Sequence, residues 1–599
     1  MSKQYGWFRG WALAAALSLA TLAAAQQPPS AAAPQAQVPA PQAQLAPPQA
    51  TGKITPEQAS QLFSLVDELI KFSSNETGLP IKNQVKRQIT SRAIVESYLK
   101  EKFDEDESAR RMQQSEIVLK KFGLLDRDFA LKPFLLQLLK EQIEAYYDFK
   151  TKTVYMLDWV GIDEQKPVLA HELTHALQDQ HTDLEKWSDQ TPDEVSLNSP
   201  GDTDHLAKDE MDTARQAVVE GQATAVMMDY ILKPMGKSLV KDPEVMDYIN
   251  QQMSASQNSP MLTRAPLLLS ESLLFPYRDG LSFEQDVWMD QGQTAAFTGT
   301  LDHPPTSSWE ILNPREYEKR HMPAVPLLPN IHPLVDSLYK PYDIGQMGQL
   351  DVRILAELFG GEQAARDLTP AWDGGLYWAG QRLSAKTPAD KAKTDSIAIF
   401  YLSAWRNAAS AQAFAELYAD ELGRKYSSVQ LESGSQSAAQ PSHSSGFKVF
   451  PPPASPPDES SDATNSAPAT LPGEQVYSTS EGPVVITTRG KLVFVAESFP
   501  LDLARKLTAL ILDAQGTGEM KMARAAQPIL IGPFQPRAPS FPLLSAERVG
   551  DNEPNPSAVP ALDSEIGEPL TASLIRFFSN CGVMKTAVEA GVKAAASEK

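Results

Sequence analysis

The chain has 599 residues, 42% of them hydrophobic and 22% charged, with a formal net charge of −21. That length can bury at least one large core, as roughly two to four domains, and an acidic surface repels phosphate backbones, so a nucleic-acid partner is excluded. A single cysteine, Cys581, excludes an intrachain disulfide framework.

The chain opens with MSKQYGWFRGWALAAALSLATLAAAQQ. Lys3 and Arg9 form a basic start, Trp11 to Leu22 an apolar run, and Ala23-Ala24-Ala25 a small-residue cleavage site. The apolar run is shorter than the ~20 residues of a membrane span. Residues 1–25 are therefore expected to be a signal peptide, with export to the periplasm or the extracellular space. No cysteine lies near the cut to take a lipid. No later apolar run reaches about 18 residues, so no integral membrane domain is expected after cleavage.

Residues 26–52 are almost entirely Pro, Ala and Gln and can bury nothing, which predicts a disordered tether. From Thr55 to about Leu139 the apolar spacing is helical. Thr55-Pro56-Glu57 reads as a helix start, with Leu62, Phe63, Val66, Leu69 and Ile70 on one face. AYYDFKTKTVYML, Ala145 to Leu157, is rich in strand-forming residues and predicts a strand or hairpin. Helical spacing returns over Pro167 to His181 and from about His205 to Leu232. Beyond Leu350, WDGGLYWAGQR and DSIAIFYLSAW read as strands and SAQAFAELYADELGRKY as a helix. Residues 433–472, rich in Ser, Pro and Gly, predict a second disordered segment. VYSTSEGPVVITTRG and KLVFVAESF then read as strands and LDLARKLTALILD as a helix. The same order on both sides predicts one α+β module, 346–432 and 473–515, interrupted by the 433–472 insertion; two independent small domains are an equally simple reading. Residues 516–599 form a Pro-punctuated extension.

The chemistry lies in VLAHELTHALQDQH, Val168 to His181. His171-Glu172-Leu173-Thr174-His175 is an HExxH pattern. Residues four apart on a helix project about 40° apart, so both imidazoles can share one small cation. Glu172, on the flank of that face, can reach a water on such an ion and take its proton.

Two histidines do not hold a zinc, so a third ligand is needed. His181 occupies the position of the third histidine in HExxHxxGxxH. The chain-turning glycine of that pattern is replaced by Gln178, and a continuing helix would carry His181 away. Asp179 stays on the histidine face, as a ligand or as a group that orients a neighbour. Glu220, in TARQAVVEGQATAVMMDY, is the preferred candidate. It lies on an otherwise apolar helix, where a carboxylate is costly unless paired or metal-bound. Its small neighbours Gly221 and Ala223 would let two helices approach closely. The competing reading pairs Glu220 with Arg215 or turns it to water. Tyr277 and Arg278 could assist at an oxyanion, although packing is the simpler role for Tyr277. His303, His321 and His332, near prolines, read as loop residues. Trp372, Trp378 and Trp405 read as core.

HELTHALQDQH followed by VVEGQAT resembles the gluzincin branch of zinc metallopeptidases, and in particular a group of exported bacterial proteins with HELTHALQDQ, a downstream EGxAT and a PPTS segment. The PPTS segment here is Pro304-Pro305-Thr306-Ser307. The resemblance covers roughly Ala145 to Tyr317. The group has a histidine followed by proline after PPTS, whereas this chain has Asn313-Pro314. The resemblance implies an α+β fold in which a mainly helical, zincin-like metallopeptidase domain over 53–345 precedes the smaller α+β module. It implies Zn2+ held by His171, His175 and Glu220, with Glu172 as catalytic base acting on a peptide or protein substrate. The alternative is a cell-envelope scaffold that keeps the fold with little hydrolytic activity. N-terminal sequencing of exported material is expected to return Gln26 as the first residue; recovery of Met1 would refute the cleavage reading.

Overall fold

Thr55 caps the first helix reciprocally with Gln58. Its hydroxyl accepts the Gln58 N–H at 3.2 Å and the Gln58 side chain accepts the Thr55 N–H at 2.8 Å. From there the computed structural model describes residues 54–97, 107–142, 145–188, 197–242, 260–321, 324–432, 473–516 and 520–521. The expected signal peptide, the tether, the 433–472 insertion and nearly all of the 516–599 extension lie outside the described residues. All the described residues belong to one unit, Thr51–Lys599.

The N-terminal half is built from helix α1 (Pro56–Thr77), strand β1 (Lys86–Thr90), α2 (Glu107–Phe122), α3 (Leu131–Gln142), hairpin β2 (Ala145–Asp148) and β3 (Thr153–Leu157), α4 (Ile162–Thr182), α5 (Ser199–Lys208), α6 (Met211–Leu232) and α7 (Leu267–Gln291). The predicted hairpin is present. β1 breaks the helical region expected from Thr55 to Leu139: KRQIT pairs in parallel with β3, giving a three-stranded sheet in the order β1-β3-β2. β2 is therefore an outer strand. α4 begins at Ile162, five residues before Pro167, with the Glu164 carboxylate accepting the Gly161 N–H at 3.3 Å. Pro167 sits inside the helix and removes one main-chain donor there. The helix predicted from about His205 is two helices, α5 and α6, broken at Asp209-Glu210.

The hairpin is tied to α4 by polar side chains. Gln165 bonds both main-chain groups of Leu157, at 3.0 and 3.1 Å. Asp179 accepts the Tyr147 hydroxyl and the Lys152 ammonium, each at 2.8 Å. α1 packs on α4, with the Ser73 hydroxyl donating to the Ala170 carbonyl at 3.0 Å.

The C-terminal half is an antiparallel seven-stranded sheet. Its elements are β4 (Tyr339–Gln346), α8 (Gln349–Leu368), β5 (Trp372–Arg382), β6 (Ile397–Trp405), α9 (Ala408–Asp420), β7 (Val429–Leu431), β8 (Glu474–Thr479), β9 (Gly482–Arg489), β10 (Leu492–Glu497) and α10 (Leu501–Ala514). The strand order is β4-β5-β6-β10-β9-β8-β7. Strands from both sides of residues 433–472 thus share one sheet, with β6 paired to β10 and β7 to β8. β4 runs across the expected 345/346 boundary.

The strands carry near-continuous apolar runs because both faces are covered. Tyr377, Tyr401, Trp405, Val484 and Val495 join a core with α9 and with Leu169, Leu173 and Val218 of α4 and α6. The alternating residues Leu376, Trp378, Phe400, Val485 and Phe494 face α10 on the other side. Trp372, Trp378 and Trp405 are buried, in agreement with their core assignment.

α6 and α7 cross at two glycines. A Cβ on Gly221 would stand 2.4 Å from the Gly280 carbonyl, and one on Gly280 would stand 2.2 Å from the Ala217 oxygen. The small residue beside Glu220 therefore serves the α6–α7 approach. Gly221→Ala and Gly280→Ala are each expected to cost about 1–3 kcal/mol, because main chain cannot move aside as a side-chain tip can. Chemical denaturation checks this; unchanged midpoints would mean that the crossing is not tight.

Candidate metal centre

α4 and α6 lie side by side and bring His171, His175 and Glu220 together. The Nε2 atoms of His171 and His175 stand 3.1 and 3.4 Å from Glu220 Oε2. The two imidazoles meet edge to face, with centroids 4.6 Å apart. One ligand atom from each of the three residues lies within 4.8 Å of the others, so the group could hold a metal ion. His171 and Glu220 are 0% and 3% exposed, and His175, at 9%, is the most open of the three.

The hydrogen-bond pattern requires positive charge at this point. Gln178 directs its amide nitrogen to the Val219 carbonyl at 3.0 Å, so its oxygen faces His175 Nδ1 at 2.9 Å. An oxygen acceptor demands a proton on Nδ1, which leaves the Nε2 lone pair directed at Glu220. A lone pair and a carboxylate oxygen at 3.4 Å repel unless a proton or a cation lies with them. Burial pushes the Glu220 carboxyl up, but the charges of His175 and His171 and their hydrogen bonds outweigh it and lower it to about 2. Burial pulls His175 down, and Glu220 more than compensates, so its affinity for a proton is raised. The field that would hold that proton equally favours a metal cation. Donors ~2.0–2.1 Å from a tetrahedral ion stand about 3.4 Å apart, close to the observed separations.

Glu172 is also buried, and its Oε2 accepts the Tyr147 N–H from the outer strand β2 at 2.7 Å. This bond ties the Glu172 carboxylate to β2.

The other candidates lie elsewhere. α4 continues to Thr182, so His181 is carried round to Asp302, 2.9 Å away. Asp179 clamps the hairpin and also accepts the Leu184 N–H at 3.1 Å. Arg215 bonds the Trp187 carbonyl and stacks over its ring, not against Glu220. Tyr277 is the exception: it is buried with its ring stacked near His171, at 6.1 Å between centroids. Arg278 pairs with Glu271 and Asp279. Asn313, the departure from the related pattern, bonds the Trp309 carbonyl at 2.7 Å and Gln349 at 2.9 Å. Ser307 of the PPTS segment caps a short helix, Ser308–Leu312. His332 is not a loop residue: it starts a helical turn, and its ring is buried between Asp202 and Asp336, at 3.0 and 3.1 Å. His321 is exposed and bonds Glu316, while His303 ends a helical turn. Gln178 stands out in the sequence only as the replacement for a chain-turning glycine; the signal for its bond to His175 was its place three residues later, where a helical side chain can reach back.

No known protein family, no curated protein and no solved structure matches the chain. Elemental analysis of Glu220→Ala is expected to show loss of bound metal, and of His181→Ala, retention. The reverse pattern would replace Glu220 by His181 as the third ligand.

Proposed function

We propose that the chain is an exported zinc-dependent peptidase of the gluzincin kind, with a zincin-like catalytic region. The observation that carries this reading is the convergence of His171, His175 and Glu220, with Glu172 anchored beside them. Two imidazoles and one carboxylate form a three-ligand set of the kind used at catalytic zinc sites, where a fourth position stays open. The likeness of HELTHALQDQH and VVEGQAT to exported zinc peptidases supports the same assignment, and the basic, apolar and Ala-rich start of the chain supports export.

A zinc ion held by His171, His175 and Glu220 would supply Lewis-acid activation of a water and of the substrate carbonyl. Glu172 takes the proton of the attacking water and returns it to the leaving amine. The Tyr147 N–H holds the Glu172 carboxylate in place for both transfers. His171 and His175 present Nε2, and Glu220 supplies the negative charge that balances the cation. An extended substrate would add beside the outer strand β2. The exposed edge of His175 is the side from which water and substrate approach.

The burial of His171, Glu172 and Glu220 favours a second reading, in which the ion stabilises an envelope scaffold. Glu172→Gln separates the two. It preserves the ligands and an oxygen for the Tyr147 N–H but removes the proton acceptor. Cleavage of a mixed peptide library is expected to fall by about 10²–10⁴-fold with metal content unchanged. Wild-type protein that carries zinc and cleaves nothing would establish the scaffold reading instead.

A further inference from the structure

The amide that orients His175 is itself oriented by a second amide on the facing helix. Gln178 Nε2 also donates to Gln222 Oε1, at 2.9 Å. Gln222 is fully buried on α6, two residues beyond Glu220. Its Nε2 faces the Ala296 and Phe297 carbonyls at 2.9 and 3.0 Å and the Thr300 hydroxyl at 2.8 Å. The Thr300 hydroxyl donates to the Ala296 carbonyl, so toward Gln222 it is an acceptor.

A main-chain carbonyl can only accept. Ala296 and Phe297 therefore fix the amide end of Gln222, and its oxygen must face Gln178. The Gln178 oxygen must then face His175, which holds the proton on Nδ1 and opens Nε2 toward Glu220. The two carbonyls belong to a π-helical turn, Ala295–Gly299. Such turns are widened by i→i+5 bonding and recur at functional sites.

We propose that Gln222 and Gln178 form a positioning relay through which the Ala295–Gly299 turn sets the tautomer of His175 and raises the affinity of the centre for a divalent metal. The inference rests on the metal-centre reading and adds to it two residues that touch neither metal nor substrate. Gln178 is held doubly, by Val219 and by Gln222, so the relay has one fixed polarity from turn to ligand.

The test uses methionine, which matches glutamine in length and carries no amide, with zinc affinity read by competition against a chromophoric chelator. Gln178→Met is expected to weaken zinc binding by about 10–100-fold, the usual effect of removing the partner of a ligating imidazole. Gln222→Met is expected to weaken it less. Added to Gln178→Met, it should bring no further loss, because the two act in series; independent packing roles would add. Nitrogen NMR of histidine-labelled, metal-free protein, recorded above the pH at which the His175 imidazolium loses a proton, reports the tautomer directly. The Nδ1–H form of His175 should dominate in wild type and give way to a mixture in both variants. If Gln222→Met does not fold, Gln222→Asn carries the same test, since a shorter amide can satisfy the Ala296 and Phe297 carbonyls but not also reach Gln178. The relay is refuted if Gln222 variants leave tautomer and zinc affinity unchanged, or if the losses multiply in the double variant. Wild-type protein with the Nδ1–H form and no zinc binding would refute the metal reading and leave the relay standing.

Discussion

A carboxylate buried between two imidazoles is the constraint around which α4 and α6 are arranged. Moving an isolated carboxylate out of water costs far more than a domain can spare, unless opposite charge or several donors accompany it. Glu220 has the imidazoles of His171 and His175 at 3.1 and 3.4 Å. The rest of the neighbourhood follows from keeping that group in register. Gln178 locks the second imidazole, Asp179 and Gln165 lock the hairpin to the helix, and the glycine crossing with α7 sets the depth of α6.

What was legible in the sequence divides along the same physical line. Periodic apolar signals were readable: the Thr55 cap, the hairpin of Ala145 to Leu157, and the strands and helices on both sides of residues 433–472. The histidine pair was readable because HExxH encodes geometry through helical spacing alone. Glu220 was readable because a charge on an apolar helix needs a reason. β1 was not, because KRQIT is a short, polar, outer strand with no strong period, stabilised by its pairing with β3 rather than by its own composition. The start of α4 was displaced because Pro167 is tolerated inside a well-packed helix. The bond of Gln178 to Gln222 depends on which helix faces which, and no local pattern carries that information. The contact of His332 with Asp202, 130 residues away in the chain, belongs to the same class.

The two halves share their core. Leu169 and Leu173 of α4, on the helix that carries the histidines, belong to the same apolar cluster as Tyr377, Tyr401 and Trp405 of the sheet. The helices packed on the sheet itself include α2, on β6, and α5, on β4, and its inner face is built of large rigid rings. Close packing of this kind transmits displacement with little slack.

The strand order carries one more consequence. The polypeptide leaves the sheet after β7, at its edge, and re-enters as β8, the neighbouring strand, after residues 433–472. β8, β9 and β10 then occupy the space between β6 and β7. The fragments on either side of that crossing are interleaved like the fingers of two hands. A peptide bond broken between 432 and 473 would leave the described β6–β10 and β7–β8 ladders intact. The cut protein would remain one particle, held by the β6–β10 and β7–β8 pairings, and would migrate as two chains only after denaturation. In this region, continuity of the backbone and integrity of the fold are separate properties.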